Sequence, residues 1–332
     1  MVRSRRNNFL PLVVALAAGA ALSPGIALAH GDIQARPAFT TLLTAWETDP
    51  FVILGLIATC WLYWSGVRRV DRLHPASPFP RRHVIYFGLG IAALVLALLS
   101  PLAAYDTTLF SAHMIQHMLL MFVAAPLLLE GRPMTLALRA ANPRLRKETL
   151  IPILHSRVVR SLTFPPLAWV FFAVTMWASH FTGVFNYSLE HVWSHRAEHI
   201  WYITAGLLFW WPIVGDIGPW RISHPAKAIY LFLAMPQMAF VGNAIYSTKT
   251  VLYDHYASLP RNWGPTPLYD QELAGAMMWI VGDLLFLGAL CFVAYGWVKH
   301  EERSTKRTDR QLARERAAAA AGADGQGALS GS

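Results

Sequence analysis

Apolar residues in this chain come in long unbroken blocks separated by short basic stretches. Seven blocks, near 50–67, 83–104, 109–130, 164–182, 197–215, 226–247 and 273–298, stay apolar for about 18 to 26 residues, enough to cross a hydrocarbon layer about 30 Å thick. Backbone groups in lipid must be satisfied within their own segment, so each block predicts a helix. Pro101, Pro126, Pro212 and Pro236 interrupt these blocks. Each frees a carbonyl in the preceding turn that a neighbouring group must satisfy, and each predicts a kink. Further upstream, Arg3, Arg5 and Arg6 precede the apolar run Phe9 to Leu22, and Ala27-Leu28-Ala29 stands directly before His30. That order predicts a cleavable signal peptide.

The expected fold is all-α, a polytopic bundle of seven transmembrane helices. It comprises a signal peptide over 1–29, an outer N-terminal segment over 30–49, the membrane domain over 50–298 and a basic tail over 299–332. The tail turns to Ala, Gly and Ser from Ala317 and predicts disorder.

Composition and charge sharpen this picture. Only 14% of residues are charged and 55% are hydrophobic, against about 25% charged in a soluble domain. The net charge of +9 would suit nucleic acid, but its placement points elsewhere. With residue 30 outside, the inner segments carry 5, 7, 2 and 7 Lys+Arg, 21 in all, and the outer segments carry only Arg36, Arg196, Lys249 and Arg261. The basic residues therefore read as topology determinants facing anionic inner-leaflet lipid. The expected location is a bacterial inner membrane, with the mature N-terminus outside and the C-terminus cytoplasmic. Cys60 and Cys291 both lie in apolar runs, which excludes a disulfide scaffold and any Cys-x-x-Cys site.

This topology sorts the thirteen histidines. His74, His83, His155, His224 and His300 fall on the inner side among arginines. The other eight fall at the outer face: His30, His113, His117, His180, His191, His195, His199 and His255. His113 and His117 are four apart and share a helix face, and His191, His195 and His199 repeat the same spacing. His180 ends the fourth span from the opposite direction. Methionines accompany them: Met114, Met118 and Met121 on the third span, Met176 on the fourth, Met238 on the sixth, and Met277 and Met278 on the seventh. Imidazole and thioether without thiolate suit copper better than zinc or an iron–sulfur cluster. The candidate ligands are His113, His117, Met121, His180 and His199, with His191 and His195 further along. His30 joins them if cleavage after Ala29 frees its α-amine. Glu190 and Glu198 stand beside histidines and are candidates to orient an imidazole.

Asp283 falls near the middle of the last span, where a bare carboxylate is costly. It is expected to be protonated or to pair with Asn243, Gln237 or Gln116. No nucleophile elbow, Walker motif, dinucleotide fingerprint or His-Glu-x-x-His occurs in the chain, so no enzyme class is indicated.

Three stretches carry a family resemblance. They are Ser111-Ala112-His113-Met114-Ile115-Gln116-His117-Met118-Leu119-Leu120-Met121, then Glu198-His199 running to Trp210-Trp211-Pro212-Ile213-Val214-Gly215, then Tyr269-Asp270-Gln271-Glu272-Leu273-Ala274-Gly275-Ala276-Met277-Met278-Trp279. Together they resemble the CtaG-like family of caa(3)-type cytochrome c oxidase assembly proteins, over roughly residues 40–298. The resemblance implies a non-enzymatic factor serving maturation of a copper-containing respiratory oxidase. Its partners would be oxidase subunits and an extracytoplasmic copper carrier. It also implies that His113, His117 and His199 are polar outer-face residues, and that Asp270 and Gln271 open the last span. Three competing readings remain: a haem-binding electron-transfer protein, a transporter using Asp283, and a pure scaffold.

Overall fold

The computed structural model describes residues 44–220 and 222–329. The expected signal peptide over 1–29 and His30 lie outside the described residues. Every regular element among the described residues is helical.

Local sequence sets most helix boundaries. Helix α1 (Pro50–Leu73) starts where the Asp49 carboxylate accepts from the Phe51 and Val52 N–H groups, with Pro50 in the first turn. Helix α2 (Arg81–Leu98) ends at Leu99, and Pro101 opens a separate short helix, Pro101–Tyr105. Helix α3 starts as Phe110–Met118, widens into a π-helical stretch over Leu119–Ala124 and resumes as Ala125–Glu130. Helix α4 (Pro165–Phe181) bends by 70° into the short helix Val184–Glu190. Helices α5 (Val192–Val214) and α6 (His224–Ser247) contain Pro212 and Pro236 without a break. Helix α7 (Pro267–Leu329) is the longest. Between α3 and α4 the chain forms short helices such as Pro133–Ala140 and Arg157–Leu162.

Five helices have the length and apolar composition to cross a membrane, and six do if the bent pair around Thr182 counts as one span. The protein is thus a membrane protein, with five or six such spans among the described residues against the seven expected. The expected block at 197–215 lies within α5, which is long enough but not apolar enough to count. The reason is visible in its side chains: His195, Arg196, Glu198, His199 and Tyr202 all lie in its first half. Helix α7 itself continues past Lys299 to Leu329. Alanine, arginine, glutamate and glutamine dominate 310–320, and these are strong helix formers.

α3 lies at the centre of the bundle. It packs against α2, α5 and α7, and α6 and α7 pack along one another. The main core joins Phe122, Phe172, Phe209, Trp210 and Phe286 from α3, α4, α5 and α7. α1 and α2 share a separate apolar seam that includes Ile53, Val67, Phe87 and Ile91.

The π-helical stretch follows from Pro126. The Ala125 N–H reaches back five residues to the Leu120 carbonyl. In that register the Met121 carbonyl would face Pro126, which has no N–H to give. The Trp210 indole of α5 donates to it instead, at 2.9 Å. Close approach of α5 makes this bond reachable. A Cβ on Gly206 would lie 2.9 Å from the Met121 Cα, so glycine is what lets the two backbones meet. Gly206→Val should therefore push α5 off α3 and destabilise the protein by about 1–3 kcal/mol, as overpacking in a tight core does. Thermal unfolding in detergent micelles, followed by circular dichroism, checks this.

Candidate metal centre

The start of α3 has no cap of its own, since Leu109 offers no side-chain acceptor. Asp270, in the first turn of α7, supplies one from across the bundle. Its carboxylate accepts from the Phe110 N–H at 2.8 Å and the Ser111 N–H at 3.3 Å. Arg261 donates to the same carboxylate at 3.3 Å and to the Thr108 carbonyl at 2.9 Å. Gln271 next to it accepts from the Leu252 N–H at 2.7 Å and donates to the Thr250 carbonyl at 3.1 Å. The Tyr256 hydroxyl donates to the Asp106 carbonyl at 2.7 Å. These bonds tie the loop before α3 to the last helix and fix where α3 begins.

From that anchor, His113 and His117 project one turn apart on one face of α3, with ring centroids 4.2 Å apart. On α5 a stripe at 195, 198, 199 and 202 faces them, the spacing of one helix face. The His195 ring lies 5.4 Å from that of His113. His199 lies 6.5 Å from His113 and 6.1 Å from His117. The Glu198 carboxylate stands 3.9 Å from His113 Nε2 and 3.8 Å from His117 Nε2. Tyr202 stacks on His117 at 3.7 Å. Asp106, in the loop before α3, reaches His195 Nε2 at 3.5 Å. Two triads result: His113, His117 and Glu198 in one, and Asp106, His195 and His199 in the other. In each, the potential ligand atoms lie within 4.8 Å of one another.

Burial makes this arrangement costly. His113, His117, His195 and Asp106 are all buried. Neither ring nitrogen of His113 or His117 has a hydrogen-bond partner among the described residues, although buried polar groups are nearly always satisfied. Burial also pushes the Asp106 carboxyl well above the ordinary carboxylate range. His199 differs, because Gln116 holds it. The Gln116 amide donates to the Ala97 carbonyl at 2.9 Å, so its oxygen accepts from His199 Nε2 at 3.1 Å.

The sequence-derived candidates divide accordingly. His113, His117, His195 and His199 come together. His191 does not: it precedes the first turn of α5, is exposed, and stacks on Tyr187 at 4.0 Å. Met121 and His180 line a neighbouring cavity together with His117. Glu198 orients no imidazole on its own helix but faces the two on α3. Glu190 is exposed. Asp106 was missed; the signal available was a lone acid between two apolar blocks. Asp283 is half-buried, with Oδ1 unpartnered, and makes no hydrogen bond to Asn243, Gln237 or Gln116. Asn243 accepts from Ser247 instead, and the Gln237 amide is itself unpartnered.

Comparison with known proteins adds a family. The model of the cytochrome c oxidase caa3 assembly factor family matches residues 61–300. Uncharacterised proteins of Mycobacterium bovis and Mycobacterium tuberculosis are each 32% identical over 287 residues, covering 84% of this chain and 43% of theirs. One from Mycobacterium leprae is 29% identical over 290 residues, again covering 84% of this chain and 43% of its own. The chain thus spans less than half the length of these relatives. No solved structure matches.

Asp270→Ala should strip the cap from α3 and leave Arg261 buried without its counter-charge. Such a loss costs about 3–5 kcal/mol. Thermal unfolding of the purified protein measures it, and Asp270→Asn should fall between this variant and the wild type.

Proposed function

The chain belongs to the family of cytochrome c oxidase caa3 assembly factors, and on that premise we propose that it serves oxidase maturation by holding copper at the histidine–carboxylate cluster between α3 and α5. One observation carries the reading. His113 and His117 present four ring nitrogens without hydrogen-bond partners, in a buried site with Glu198 beside them. Imidazole is a favoured copper ligand, and a carboxylate nearby offsets the positive charge brought into a poorly solvated place. His195, His199 and Asp106 enlarge the set, so an ion can exchange ligands rather than sit in one closed cage. That suits a protein that gives its cargo away.

The remaining parts of the proposal concern sidedness and partners. The excess of Lys and Arg in alternate connections supports an extracytoplasmic position for the cluster. There it could take copper from a soluble carrier and pass it to a nascent oxidase subunit. No catalytic step is needed for this role, and none of the clustered side chains is arranged as a nucleophile with its base.

Copper stoichiometry of the purified full chain is the test. The wild type should hold about one copper ion per chain at this cluster. His113→Ala with His117→Ala should lose it while unfolding at a similar temperature. Glu198→Gln should bind about 10–100-fold more weakly, the usual cost of losing a supporting carboxylate. Oxidase activity in membranes should fall in parallel with copper content. If the double variant supports full oxidase activity, the histidines serve structure and the scaffold reading replaces this one. A Soret band in the purified wild type would favour haem.

A further inference from the structure

Beside the cluster, α3 also borders a different chemical environment. Met114, Met118, Met121, Met176, Met238 and Met278 converge from α3, α4, α6 and α7 on one small cavity. All six are buried, and the chain has only ten methionines. The cavity measures about 10 Å³, room for about one water-sized sphere. His117, Phe122, His180 and Tyr202 complete the lining. A methionine-rich core usually fills space with flexible apolar chains. Here two imidazoles stand among the thioethers, and one of them has a bonding pattern that packing does not explain.

That imidazole is His180. Its Nδ1 lies 2.7 Å from the Met176 carbonyl, which can only accept, so Nδ1 carries the proton. The same proton can be shared with Ser179 Oγ at 3.1 Å, whose own hydrogen is given to the Thr175 carbonyl at 2.6 Å. The neutral ring then has only a lone pair at Nε2, and that lone pair faces the Met114 sulfur at 3.4 Å. A thioether sulfur has no proton to offer. Two electron-pair donors therefore face one another in a buried place, with His117 and its unpartnered nitrogens on the same cavity wall. A cation between them turns that contact into two bonds.

We infer that this methionine cavity is a second metal site, separate from the histidine–carboxylate cluster, and that it takes a soft monovalent d10 cation, Cu(I). Thioether sulfur and imidazole without carboxylate or thiolate favour Cu(I) over divalent ions. Neutral ligands also suit a single positive charge in a poorly solvated core. His117 belongs to the cluster and also lines the cavity, so it stands where an ion would pass from one set of ligands to the other. The inference rests on the copper reading only for the identity of the natural ion; the ligand chemistry of the cavity is independent of it.

The experiment uses the full chain in detergent with Cys60→Ala and Cys291→Ala, which removes competing thiols. Ag(I) alone serves as a redox-inert probe for the cavity, and Cu(II) alone as a probe for the cluster. X-ray absorption at the silver edge should show sulfur neighbours in this background. Adding Met114→Leu, Met121→Leu and Met176→Leu should remove them and weaken Ag(I) binding by about tenfold or more, leaving the nitrogen hyperfine pattern of bound Cu(II) unchanged. Absence of sulfur neighbours before any methionine is changed overturns the inference, whatever the folding of the variant. Sulfur neighbours that persist undiminished in the triple variant overturn it equally. A silver–sulfur site without Cu(II) binding would sink the cluster reading and leave the cavity standing.

Discussion

The carboxylate of Asp270, bound to the first N–H groups of α3 and to Arg261, is the constraint on which the site depends. It is fully buried and comes from the last helix, 160 residues from the N–H group it caps. A helix end buried without acceptors is costly, and a buried guanidinium without a counter-charge is more so. One side chain settles both. Because it does, α3 has one start and one rotation, and everything three, seven and eleven residues further on has a fixed direction. Those positions are His113, His117 and Met121.

A second fixed point lies where Trp210 donates to the Met121 carbonyl beside Gly206. Proline in α3 created the need for that donor, and glycine in α5 made room for it. The two helices are thereby locked face to face. Their polar stripes are close enough to share an ion without touching strongly enough to neutralise each other. The rings of His113 and His117 consequently keep unpartnered nitrogens in a setting where most proteins would have paired them.

Imidazole and thioether side chains alternate along the first turns of α3. Carboxylates and imidazoles meet between α3 and α5, and Met114, Met118 and Met121 line the neighbouring cavity with His117 and His180. The 70° bend after α4 closes the arrangement by bringing Phe185 over His113, with ring centroids 4.9 Å apart.

The all-helical membrane architecture was legible in the sequence, because twenty apolar residues in a row have few other physical solutions. So was the pairing of His113 with His117, since a four-residue spacing fixes a shared face whatever surrounds the helix. Membership in an oxidase-assembly family was equally legible from the three motifs that carry it. The sequence could not say which side chains of different helices would meet, because that depends on helix rotation. Rotation is set by contacts as remote as Asp270 with Phe110 and Gly206 with Met121. For that reason His195 joined the cluster while His191, four residues earlier, fell outside the first turn. For the same reason Met121 and His180 meet His117 in the neighbouring cavity. Composition along one helix is a local property; the depth and direction of a ligand are decided only when the helices pack.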